Sequence, residues 1–369
     1  MFWRKRRTYL DYAAGVSGNP SSPHEEGRIA KKMLEDARTD IARLLEVQSD
    51  DVIFTSGATE ANALAILGIA KRGDHMLYLP SAHASVVENM KLAEERGVEI
   101  DVLPIKDWRV DCGKLRELLR PNTKLVSMDA VCGETGVIWN TREVKQTVEA
   151  NILLHVDASQ APLTEKITRA HFGADILTLS GSKVGPTHYR CGGRGIGALI
   201  AHRTIPIATL YKGGGQERGL RSGSESPELA RMFAACLRQA AFGREDFVAR
   251  AKRARAELIK VIIRDVPNVF VNESRVQAPH ILNLSLPGRD TDYLVTLLDE
   301  AGFAVSTRSA CETDSEAGSR AVLALTGDAN RAESTLRVSW GPDTKKCDLN
   351  RFVNALIPAV LFVDNERGR

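Results

Sequence analysis

Ile152-Leu153-Leu154-His155-Val156-Asp157-Ala158-Ser159-Gln160, and shortly after it Ile176-Leu177-Thr178-Leu179-Ser180-Gly181-Ser182-Lys183, are two short apolar runs that each end in polar, chemistry-bearing residues. Neither alternates apolar with polar as a strand with one wet face does. Both therefore read as strands covered on two sides, the habit of parallel sheets sandwiched by helices. Working outward, further β-rich runs lie at residues 51–55, 76–79, 98–104, 124–128 and 196–201, with helical stretches between them. The rhythm predicts an α/β fold with a mostly parallel seven-stranded sheet.

Ahead of the sheet, Ser22-Pro23-His24-Glu25 has the spacing of a capping box with proline at the first helical position. Ile29, Met33, Leu34, Ala37, Ile41, Leu44 and Leu45 then recur at helical spacing. Beyond about residue 225 the pattern changes to helices at 227–241 and 245–264, strands near 269–271 and 281–286, a helix at 293–301, a strand at 335–340 and a helix at 349–362. Two units are expected: a large α/β domain over 15–225, and a smaller α+β domain from 1–14 and 226–369.

The 369 residues carry 50 Lys and Arg against 47 Asp and Glu, a net charge of +3, too balanced to attract nucleic acid by field strength. The one basic cluster, Arg4-Lys5-Arg6-Arg7, reads as a solvated end, and no direct nucleic-acid partner is expected. The longest apolar stretch, 352–363, contains Asn354 and Pro358 and falls short of the roughly 18 residues a membrane span needs. Tyr9, Asp11 and Tyr12 stand where a secretion signal would place its apolar core, so a cytoplasmic protein is expected. Cys112, Cys132, Cys191, Cys236, Cys311 and Cys347 form no C-x-x-C pair, which disfavours a zinc site or a disulfide framework.

Five stretches could carry chemistry. Thr55-Ser56-Gly57-Ala58-Thr59-Glu60 lies between a strand and a helical run that Gly73 ends. There, helix N-terminal N–H groups and the Thr59 hydroxyl suit a phosphate, although such a turn is also ordinary fold punctuation. Asp157, at a strand end, can hold a protonated ring nitrogen or simply cap the next helix. Lys183, at the next strand end among small residues, has the setting of a Schiff-base amine, and a surface lysine is the plain alternative. Cys311, in the polar stretch Ser309-Ala310-Cys311-Glu312-Thr313, is the best thiol nucleophile, although the adjacent Glu312 would raise its pKa. Arg337 in Leu336-Arg337-Val338-Ser339 can grip a carboxylate or sit exposed on its strand, and His83 can pack in the core or stack on a ligand.

Taken together and in this order, these stretches resemble the cysteine desulfurases of the class V aminotransferase group, which have the type I fold of pyridoxal-phosphate enzymes. The likeness is carried by Tyr9-Leu10-Asp11-Tyr12-Ala13-Ala14, Gly18-Asn19-Pro20-Ser21-Ser22-Pro23-His24 and Thr55 to Glu60. It continues through His155 to Gln160, Ser180 to Lys183, Gly213-Gly214-Gly215-Gln216-Glu217-Arg218-Gly219-Leu220-Arg221-Ser222-Gly223 and Ser309-Ala310-Cys311. The resemblance implies that Lys183 attaches pyridoxal 5'-phosphate, Asp157 pairs with its ring nitrogen, Gln160 contacts its phenolic oxygen and His83 stacks on its ring. Ala58, Thr59 and Ser180 would bind the phosphate, with Ser224 of a second subunit completing the cradle of a homodimer. Arg337 would hold the carboxylate of L-cysteine, and Cys311 would take the sulfur as a persulfide, leaving L-alanine. The length from Cys311 to Gly327 resembles the branch whose mobile cysteine loop hands sulfur to an iron–sulfur scaffold or a tRNA-thiolation protein.

Departures accompany the likeness. Ser182 stands where the family usually has His, and Gly133 in Val131-Cys132-Gly133-Glu134 where it usually has Asn. The N-terminal segment before Gly18 is short, and 187–193 looks like an insertion. Three rivals share the pattern: a pyridoxal-phosphate aminotransferase or a selenocysteine lyase in which Cys311 is incidental, or a degenerate sulfur-relay protein that keeps the fold with weak chemistry.

Overall fold

The computed structural model describes residues 7–16, 18–185, 193–307 and 318–367. Cys311 and its neighbours Ser309 and Ala310 lie outside the described residues, as does nearly all of the expected insertion at 187–193.

Helix α1 (Glu25–Leu45) precedes β1 (Val52–Thr55), α2 (Ala58–Leu67), β2 (His75–Tyr78), α3 (Ala84–Glu95) and β3 (Glu99–Val102). A small hairpin of β4 (Ile105–Lys106) and β5 (Arg109–Val110) leads to α4 (Cys112–Leu118), β6 (Thr123–Asp129), α5 (Thr141–Thr147) and β7 (Leu153–Asp157). Next come α6 (Arg169–Phe172), β8 (Ile176–Ser180), β9 (Gly197–Ala201) and the long α7 (Pro227–Asp265). The chain continues through β10 (Phe270–Val271), β11 (Ile281–Ser285), α8 (Thr291–Glu300), α9 (Arg320–Thr326), α10 (Ala329–Glu333), β12 (Thr335–Ser339) and α11 (Lys346–Arg367).

The main sheet has seven strands in the order β1-β9-β8-β7-β6-β2-β3. β3, β2, β6, β7 and β8 run parallel, and β9 runs antiparallel to both β8 and β1. Every residue of β8 and β9 is buried, as strands covered by helices on both faces must be. The carboxyl ends of β1, β6, β7 and β8 consequently point the same way. A second, antiparallel sheet of β10-β11-β12 packs with α8 and α11. One apolar core surrounds the main sheet, and a second gathers Phe247, Leu258, Leu282, Leu294, Leu336, Phe352 and Leu356.

Several expectations shift. The helices expected at 227–241 and 245–264 are one helix of 39 residues. Gly243 costs about 1 kcal/mol in a helix interior. Phe233 and Leu237 are buried in the first core and Phe247, Ala251, Leu258 and Ile262 in the second, so packing on both sides carries the helix across. Helix α1 is capped by His24, whose ring accepts from the Gly27 N–H, while Ser22 donates to Asp11 instead, so the capping box at Ser22 is replaced by a cap two residues later. The run expected to reach Gly73 ends at Gly68. In the stretch from Cys311 to Gly327, expected to be loop, Ser319 caps α9 and 320–326 are helical, while 311–317 lie outside the described residues. Pro358 lies inside α11, which runs from Lys346 to Arg367. Among the described residues no helix is long and apolar enough to cross a membrane.

Candidate active site

The carboxyl ends of β1, β6, β7 and β8 open onto a cavity of about 300 Å³, in the crevice where open α/β sheets gather ligands. Its wall brings together Ala58, Thr59, His83, Asp157, Gln160, Ser180, Lys183 and Arg337, residues scattered over most of the chain. Ser224 is not among them: it is exposed beyond the 213–223 segment and does not line the cavity of its own chain.

Asp157 ends β7 buried, with both carboxylate oxygens engaged. The Ser159 N–H donates to Oδ1 at 2.9 Å, and the Asn62 Nδ2 of α2 donates to Oδ2 at 2.7 Å. Beneath it on the same strand face, His155 lies between Ser127 Oγ at 2.8 Å and Thr178 Oγ1 at 3.0 Å. Burial pushes His155 down to about 4, so an uncharged layer underlies Asp157 at neutral pH.

The turn from β1 into α2 presents the first N–H groups of a helix to the cavity at Ala58 and Thr59. It is held from behind. Burial pushes the Glu60 carboxyl up, yet the Ser56 N–H, the Tyr211 hydroxyl and Arg221 together hold it below its ordinary value. Strand β9 approaches this turn so closely that a Cβ at Gly197 would lie 2.7 Å from Gly57 backbone carbon. Ser180 and Ser182 share a hydrogen bond of 2.9 Å, so the serine at the usual histidine position joins the polar rim.

Lys183 closes a one-turn 3-10 helix after β8 and lines the cavity. Arg337 reaches in from β12: its Nη1 donates to Gly133 O at 3.1 Å, while its buried Nε has no partner. The bare Cα of Gly133 leaves room for the Gln160 amide, whose Nε2 would be 3.1 Å from a Cβ there. The chain on either side of the undescribed stretch is tied to the same place. The Arg337 N–H donates to Ser306 O at 2.6 Å, and Ser319 Oγ donates to Glu134 Oε2 at 2.6 Å. Cys132, also on the wall, is a poor nucleophile because burial pushes its thiol up to about 11.

Four residues of this site escaped the sequence analysis. Asp129 ends β6 directly opposite Asp157 on β7, and its buried Oδ1 has no partner. Burial, and then the neighbouring Asp157 charge, lift its carboxyl well above the ordinary range. The signal that singled out Asp157, an acid ending an apolar run, is present in Val126-Ser127-Met128-Asp129 as well. Asn62 and Ser85, polar residues at buried positions of α2 and α3, link Asp157 to His83. Arg320 of α9 donates to Pro80 O at 2.6 Å and Ala82 O at 2.8 Å, pinning the loop that carries His83. Among the described residues no cluster could hold a metal ion.

Residues 6–352 match the aminotransferase class-V family. The chain is 31% identical over 359 residues to cysteine desulfurase IscS 1 of Archaeoglobus fulgidus, covering 95% of this chain and 92% of that one. It is also 31% identical to the mitosomal cysteine desulfurase of Encephalitozoon cuniculi, covering 95% of this chain and 82% of the other. Among solved structures, a NifS-like protein superposes with a TM-score of 0.85 at 26% identity, over 94% of this chain and 92% of that one. DndA from Streptomyces lividans superposes with a TM-score of 0.73 at 31% identity, over 90% and 93%.

Proposed function

The chain belongs to the aminotransferase class-V family, and on that premise we propose that it is a cysteine desulfurase that uses pyridoxal 5'-phosphate to convert L-cysteine to L-alanine. The observation that carries this is the convergence on one cavity of Lys183, of Asp157 with its carboxylate fixed by two donors, and of Arg337 with a buried N–H unused.

The residues present fit the cofactor. The α2 N-terminus at Ala58 and Thr59, with Ser180, suits a phosphate. Asp157 would accept from a ring N–H, His83 would flank the ring, Gln160 would face the phenolic oxygen and Lys183 would supply the attaching amine. When bound, the cofactor withdraws electrons from the substrate carbons. Arg337 grips the substrate α-carboxylate, and Lys183 takes the α-proton and moves protons between the substrate carbons. The Cys311 thiolate attacks the substrate sulfur, so that an S–S bond forms as the Cβ–S bond breaks. The bonding pair stays on carbon and is protonated, L-alanine leaves and Cys311 carries a persulfide.

The persulfide is then passed to an acceptor protein of iron–sulfur assembly or tRNA thiolation. The functional unit we infer is a homodimer, because Ser224 does not line its own cavity and is exposed, where it could meet a partner's. The test is a visible absorption spectrum of the protein loaded with pyridoxal phosphate. A cofactor band that shifts on adding L-cysteine, with alanine formed one-to-one with released sulfur, is expected. No band, or a band without alanine, would overturn the assignment.

A further inference from the structure

We propose that Asn62 and Ser85 are positioning residues that hold Asp157 and His83 as a single unit, one amide setting both groups that flank the bound ring. The inference rests on the desulfurase reading for its purpose, but its geometry stands without a cofactor.

The Asn62 side chain is fully buried, and its Nδ2 lies 2.7 Å from Asp157 Oδ2 and 2.9 Å from Ser85 Oγ. A carboxylate only accepts, so the amide must turn its NH2 group to Asp157, which leaves Asn62 Oδ1 buried without a partner. The second hydrogen of that NH2 group goes to Ser85 Oγ. The hydroxyl lies 2.8 Å from His83 Nδ1 and donates to it, because that nitrogen also faces a backbone N–H and must accept. The Ser85 backbone N–H, which can only donate, reaches the same nitrogen at 3.1 Å. Two donors on Nδ1 make it an acceptor and place the imidazole proton on Nε2. The ring is thereby fixed in rotation and tautomer by the chain of bonds that orients Asp157. The network keeps its buried polar atoms at the cost of one orphaned oxygen, which is how a site retains a group for orientation rather than for stability.

The experiment uses the full chain with 15N-labelled histidine, first without cofactor, and then a titration with pyridoxal phosphate. In the native protein the His83 resonances should show Nδ1 unprotonated and Nε2 protonated. Ser85→Ala removes the shorter of the two donors, and the Nδ1–H tautomer should rise about fivefold. Ser85→Thr keeps the hydroxyl and should restore the native tautomer. Asn62→Ala should change the His83 tautomer in the same sense and also weaken cofactor binding about tenfold, because Asp157 loses its side-chain donor. A His83 tautomer unchanged in both Ser85→Ala and Asn62→Ala, or native cofactor affinity in Asn62→Ala, would overturn the proposal. The tautomer is read without cofactor or turnover, so its failure is distinct from failure of the desulfurase assignment.

Discussion

Arg38 and Glu217, 179 residues apart in sequence, form a buried two-pronged pair in which Arg38 Nη1 and Nη2 each donate to a Glu217 oxygen at 2.7 Å. The same Glu217 accepts from the Phe54 N–H at 2.8 Å, one residue before Thr55 ends β1. Glu217 and Arg218 both hold left-handed backbone, at φ of 46° and 60°, a strain non-glycine residues keep only where their surroundings impose it. The pair thus ties the 213–223 segment to the strand that leads into the turn at Ala58 and Thr59 on the cavity wall. Glu217→Gln takes away the buried counter-charge of Arg38 and leaves it only the exposed Glu35, whose carboxylate lies 3.2 Å from Nε, so the expected cost is about 3 kcal/mol by urea unfolding. Cofactor affinity should fall with it. A change under about 1 kcal/mol would mean that the pair is not what anchors this segment.

Asp129 gives a pH signature. Its carboxyl keeps in the folded protein a proton that the unfolded chain releases above the ordinary value of 3.8. Its contribution to stability is therefore present at low pH and lost as pH rises through the folded value. Asp129→Asn cannot ionise, so the variant should gain on the native protein as pH rises from about 4 to 8. Denaturant midpoints measured across that range check it, and parallel curves would contradict it.

His155 predicts the opposite slope. The folded ring resists protonation down to about 4, whereas the unfolded ring takes a proton below its ordinary 6.5. Stability is lost as pH falls from about 6.5 towards 4. In His155→Gln, which keeps a polar side chain between Ser127 and Thr178, the loss over that window should shrink. The same midpoints measured at pH 7 and pH 5 decide it.

How much of this was legible before the structure varies by element, for physical reasons. The seven main strands were, because β7, β8 and β9 are continuous apolar runs that tertiary packing has no reason to redirect. The continuity of α7 was not, because a glycine at 243 is locally a break and only the two cores on which the helix lies make it one element. Asp157 and Lys183, whose place on the cavity wall follows from their own position at or just beyond a strand end, could be found from pattern. Asn62 and Ser85 could not, since their importance lies in contacts 95 and 23 residues away along the chain. The Ser22 cap was misplaced because Asp11, distant in sequence, engages both the Ser22 hydroxyl and the His24 ring.

Arg337 predicts a substrate effect. With Nε buried and unused and Nη1 held by Gly133 O, the guanidinium is oriented before substrate arrives. Arg337→Lys keeps the charge and loses the planar fork, so KM for L-cysteine should rise tens-fold with a smaller change in kcat. Steady-state kinetics would contradict this if KM stayed within about threefold of native.

Intact mass and peptide mapping of the cofactor-loaded protein after one turnover with L-cysteine, beside a Cys311→Ser variant, follow the transferred sulfur itself. A gain of one sulfur confined to the peptide containing Cys311 and stoichiometric with alanine is expected, with no such gain in the variant. A sulfur on another cysteine, or alanine formed at the native rate by Cys311→Ser, would contradict it.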